Sequence, residues 1–141
     1  KWYNCGRYPA YSFALRTPKM HEKNLTYSLL FGGGAKYSNG EDSVFIRDCL
    51  KEGLKVYSIP VEIGEERPRP STWFFGFDHK FFHDRGVLYH VLYGKLAGVM
   101  GLRFLIKNKS NMKSEKNPEG LTFNEAKKAL LSGIRDAKGG L

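Results

Sequence analysis

The chain has 141 residues and a formal net charge of +9, from 23 Lys and Arg against 14 Asp and Glu. That length suits one domain, and 41% hydrophobic residues suffice for a packed core, which excludes wholesale disorder. Two cysteines, Cys5 and Cys49, exclude a disulfide scaffold and a four-Cys zinc site and make a reduced, intracellular setting the default, while the positive charge points to anionic partners: nucleic acid, a phospholipid surface or phosphate-bearing small molecules.

The chain opens on Lys1 without a signal-peptide pattern, so the expectation is a processed product or a piece of something longer. Tyr11, Phe13 and Leu15 alternate with Ser12 and Ala14, which predicts a strand over 10–16 stopped by Thr17-Pro18. Residues 24–30 read as a short helix or turn leading to Phe31. Gly32-Gly33-Gly34 follows as a loop in which the backbone turns sharply or meets something closely. After Gly40 the period becomes helical, with Val44, Phe45, Cys49 and Leu50 on one face and Gly53 as the stop. Residues 54–63 (LKVYSIPVEI) read as a second strand, with Pro60 at an edge or bulge. A charged, proline-bearing loop over 65–70 opens onto 71–75.

Residues 80–107 predict two helical pieces broken near Gly86 or Gly94. Within them, 86–106 is greasy, yet Lys95, His90 and Arg103 interrupt it, so a transmembrane span is rejected. A buried core helix and a helix lying in the membrane interface, with Lys95, Arg103, Lys107 and Lys109 toward headgroups, both remain open. Residues 108–120 are polar and lysine-rich and are predicted to be mobile. Thr122 with Glu125 three residues later predicts a capping box, after which Phe123, Ala126, Leu130 and Ile134 share a face until Gly139-Gly140.

Candidate chemistry starts at Asn39-Gly40-Glu41-Asp42, where two adjacent carboxylates open a helix directly after a glycine-rich loop. A helix N-terminus favours an ionised carboxylate, which can accept a proton or orient a hydroxyl. Acidic residues at helix starts also serve simply as caps, and pattern alone leaves both roles open. His79 and His83 stand four apart, without the intervening Glu of a zinc-protease H-E-x-x-H.

The ordered set Ser12-Phe13-Ala14-Leu15-Arg16, Phe31-Gly32-Gly33-Gly34, Gly40-Glu41-Asp42-Ser43-Val44-Phe45 and Gly53-Leu54-Lys55-Val56 resembles the family-2 glycosyltransferases of the GT-A fold. The resemblance covers roughly residues 8–83. It implies an α/β chain: the carboxy-terminal, acceptor-side half of a Rossmann-like mixed-sheet domain over 1–83, followed by a helical extension over 84–141 that associates with a membrane interface. It also implies inverting sugar transfer from a nucleotide-sugar donor to a lipid-linked or polysaccharide acceptor, in cell-surface polysaccharide synthesis at the cytoplasmic face of the membrane. Asp42 would be the catalytic base, Glu41 would hold the acceptor, and Gly32, Gly33 and Gly34 would admit substrate to the backbone. Arg67, Arg69 and Trp73 are similar to an Arg-and-Trp motif in which Arg meets pyrophosphate and Trp lines the acceptor path. The family's D-x-D motif does not occur, since the five Asp are 42, 48, 78, 84 and 136. A divalent Mg²⁺ or Mn²⁺ would therefore be held mostly by a missing donor half, assisted by His79, and this chain alone would be inactive. The rival expectation is a basic nucleic-acid-binding module, favoured by Lys80-Phe81-Phe82 and the lysines of 107–116. Its aromatics follow no RNP-like pattern and its charge is spread along the chain, so nucleic acid is not the expected partner.

Overall fold

The computed structural model describes residues 12–62, 64–65, 76–113 and 118–141. Five α-helices order them: α1 (Thr17–Glu22), α2 (Glu41–Lys51), α3 (His79–Tyr93), α4 (Ala97–Lys107) and α5 (Phe123–Lys138). The core is the packing of α3 on α5, with α4 laid across both. Phe82, Leu105, Met112, Ala126, Ala129 and Leu130 are all essentially inaccessible there. Burying each large apolar side chain contributes about 1.5–3 kcal/mol. α3 has apolar residues around most of its circumference, because α5 and α4 cover one side and α2 with the glycine loop covers another.

Two glycines set the α3–α5 distance. A Cβ on Gly86 would lie 2.0 Å from the Leu130 carbonyl oxygen, and one on Gly133 would lie 2.0 Å from the His83 carbonyl oxygen. The two helices thus meet backbone to backbone at reciprocal points, which accounts for a glycine in the middle of each. The expected break in the 80–107 segment falls at Gly94, where a 3-10 turn over Gly94–Leu96 redirects the chain into α4, and Gly86 leaves α3 unbroken. α5 begins with the predicted capping box: Glu125 N–H donates to Thr122 Oγ1 (3.3 Å) and Thr122 N–H donates to Glu125 Oε2 (2.8 Å). The polar connection before it is tied down where described, with Met112 in the core and Lys113 N–H donating to the Leu121 carbonyl (2.8 Å).

The expected α/β, GT-A architecture is overturned. Among the described residues there is no sheet, and of the two expected strands neither 12–16 nor 54–62 forms one, while residues 10, 11 and 63 lie outside the described residues. The only β-type pairing among them is an isolated bridge between Phe31 and Tyr37. Pro18, read as a strand stop, instead stands in the first turn of α1, where its missing N–H leaves no bond unmade. Residues 54–62 are irregular, with Tyr57, Ile59 and Val61 exposed, and none of the described residues pairs with them in a ladder. The expected division between 83 and 84 falls inside α3.

Candidate active site

Glu41 and Asp42 form the first turn of α2, and both are half-buried. Gly40, at the N-cap, has φ +110°, and a Cβ there would meet Leu88 Cδ1 at 2.6 Å, so only glycine lets the chain enter the helix so close to α3. The glycine loop closes on itself just before. Gly32 N–H donates to the Tyr37 carbonyl (2.9 Å), and Tyr37 N–H donates to that of Leu30 (3.0 Å). Phe31 and Tyr37 anchor the loop as buried rings 5.2 Å apart. Gly32 is also buried, and a Cβ on it would sit 3.2 Å from Glu41 Cδ. Loop and acidic helix start are thus brought into contact, while Gly33 and Gly34 stay exposed at the loop tip.

A buried carboxylate on α3 pins this assembly. Asp84, 3% exposed, accepts hydrogen bonds from Ser38 N–H (3.0 Å), Ser38 Oγ (3.0 Å) and the Lys80 ammonium. Lys80 donates in addition to the Lys36 carbonyl (3.1 Å). Burial alone would raise the Asp84 pKa, but the Lys80 ammonium and the two Ser38 donors outweigh it and hold the carboxyl below its ordinary range. Arg47 fixes α2 from the other side by donating to the Val91 carbonyl (2.6 Å). Ser38 and Asp84 are 46 residues apart, and sequence reasoning missed the pair; the only local signal was the single acid of α3, four residues after a lysine.

Tyr27 was missed as well. Its ring stacks on Phe45 at 4.4 Å with a 5° interplanar angle, yet it remains 42% exposed. Burial first, then the charges of Asp42 and Glu41, push its phenol up from the ordinary tyrosine value. One side thus collects two carboxylates, a glycine turn and an aromatic ring with one face covered by Phe45. That set can hold a polyhydroxylated molecule: carboxylates accept hydroxyl protons, and an aromatic ring offers both an apolar face and a polar edge.

Arg67, Arg69 and Trp73 lie outside the described residues. His79 is exposed at the first position of α3, whose N-cap Asp78 accepts from Phe81 N–H (2.7 Å). His83 is engaged elsewhere, with Nε2 2.8 Å from Asp136 on α5 and Nδ1 3.4 Å from Asp84. Among the described residues no three His, Cys, Asp or Glu side chains converge as metal ligands. Also among the described residues, no helix is long and apolar enough to cross a membrane. No protein-family model, curated protein or solved structure matches the chain.

Proposed function

We propose that residues 31–42, with Tyr27, form the acceptor side of a sugar-transfer site. The observation that carries this reading is the contact between the buried Gly32 turn and Glu41 at the start of α2, which sets a glycine loop against two adjacent carboxylates. Asp42 takes the proton of an acceptor hydroxyl as that oxygen attacks the anomeric carbon of a nucleotide-activated sugar. The new C–O bond forms as the bond to the diphosphate breaks, and the nucleoside diphosphate leaves with the electron pair. Attack from the side opposite the leaving group inverts the configuration. Glu41 orients the acceptor, and the Tyr27 ring supplies a face for a sugar ring of a glycan or lipid-linked acceptor. Both acids stand in the first turn of α2, where unpaired backbone N–H groups gather. The reading concerns this cluster of residues and does not revive the mixed-sheet fold.

The test incubates the gene product carrying these residues with radiolabelled nucleotide-sugars and with glycan or lipid-linked acceptors. Transfer of label with inverted anomeric configuration is the expected result. Failure of every donor to transfer label, or a retained configuration, overturns the reading.

A further inference from the structure

The outer face of α4 combines two features that a water-facing helix rarely combines. Val99 (67% exposed), Leu102 (44%) and Ile106 (61%) stand at helical spacing on the side away from the buried Ala97, Gly101 and Leu105, and Leu96 (49%) extends the stripe by one turn. From Arg85 to Ser114 the chain contains no Asp or Glu, yet it carries Arg85, Lys95, Arg103, Lys107, Lys109 and Lys113. Arg103 and Lys107 are exposed and border the apolar stripe by their helical spacing. On α3 the Arg85 guanidinium packs over the Phe81 and Phe104 rings, at 5.2 and 5.1 Å from their centroids. The buried Nε of Arg85 has no hydrogen-bond partner among the described residues.

We infer that this face of α4 docks on an anionic phospholipid surface. Leu96, Val99, Leu102 and Ile106 enter the headgroup–acyl boundary, while Lys95, Arg103, Lys107 and Lys109 meet the phosphates. An exposed aliphatic stripe bordered by cations is the arrangement that lies flat in a bilayer interface. Charge complementarity selects the occupant. A second copy of the chain would bring a like-charged face against this one, whereas an anionic leaflet attracts cations near its surface. Nucleic acid fits less well, because the side chains exposed along the stripe are aliphatic and offer no rings on which bases could stack. This docking is independent of the sugar-transfer reading, since it uses none of Tyr27, Glu41 or Asp42.

Flotation of the chain with vesicles tests it. The chain is expected to float with vesicles of phosphatidylcholine containing about a third phosphatidylglycerol, to stay in solution with phosphatidylcholine alone, and to be released by raising the salt. Ile106→Glu should lower the bound fraction roughly tenfold or more while leaving the far-UV spectrum unchanged, because the side chain is exposed. Arg103→Gln with Lys107→Gln should weaken binding to anionic vesicles several-fold. If Ile106→Glu alters the fold, the wild-type chain carrying Val99→Cys labelled with an environment-sensitive dye gives the second readout, a blue shift on adding anionic vesicles. Equal recovery with and without anionic vesicles, concentration-dependent dimerisation through this face, or a salt-sensitive shift with random RNA in place of vesicle binding would each overturn the inference.

Discussion

The reciprocal contact of α3 with α5 makes Gly86→Ala and Gly133→Ala sharply informative. An added methyl would sit 2.0 Å from a backbone carbonyl oxygen in either case. Ordinary van der Waals contact lies beyond about 3.4 Å, so the helices must part by about 1 Å or more, and backbone cannot rotate aside as a side chain could. A gap of that size forfeits between a quarter and a half of each dispersion contact it opens. The affected surface includes Phe82, Val87, Ala129, Leu130 and Ile134. Overpacking of this kind costs about 3 kcal/mol, against a gain of about 1 kcal/mol from better helix propensity, leaving a net loss of about 2 kcal/mol. For a chain of this size that lowers Tm by roughly 5–10 °C. Gly98→Ala on α4 is the control, since a methyl there meets nothing within 4 Å; it should gain up to about 1 kcal/mol and raise Tm by a few degrees. Thermal and urea unfolding followed by circular dichroism at 222 nm reads all three. Gly86→Ala and Gly133→Ala melting at or above the wild-type temperature would refute the close packing, whatever Gly98→Ala does.

Asp84→Ala should lose about 2–3 kcal/mol, the scale of charge-assisted hydrogen bonds left unmade, measured by urea unfolding at pH 7. The Asp84 pKa is depressed in the folded chain, so its contribution is complete above the ordinary value near 3.8 and drains away as pH falls through the folded value. Asp84→Asn should therefore flatten the acid side of the stability–pH curve, and an unchanged acid slope would count against the Lys80–Asp84–Ser38 cluster. Thr122→Ala removes the N-cap of α5 and should cost about 1 kcal/mol with an unchanged far-UV spectrum; a loss below a few tenths would show that the cap carries little.

What could be read from the sequence was local. α2 and α5 were legible because their apolar residues repeat at 3.6 and their ends carry glycine or a capping box within one turn. The two strand expectations failed because short alternating runs such as Phe13–Leu15 and Val56–Ile63 describe an extended chain equally well with or without a neighbour. A strand exists only when another segment completes its hydrogen bonds, and no local pattern reports that. The glycine loop and Glu41–Asp42 were adjacent in sequence and proved adjacent in space. Tyr27 and Asp84 were invisible for the opposite reason. Tyr27 reaches the acids by stacking on Phe45, and Asp84 reaches the loop across 46 residues, so both depend on how α2 and α3 pack. Gly86 illustrates the same limit: its sequence reading as a helix breaker was reasonable by propensity, and tertiary contact with Leu130 gave it another role.

The proposed sugar transfer turns on Asp42. Asn keeps the size of the side chain in the first turn of α2 but cannot serve as an effective base. The decisive measurement is kcat for sugar transfer by the gene product carrying Asp42→Asn, taken beside its thermal midpoint. A fall of about 10²-fold or more with Tm held near wild type is the predicted result. Wild-type turnover, with any loss confined to Tm, would contradict the account and leave Asp42 as a structural acid in the first turn of α2.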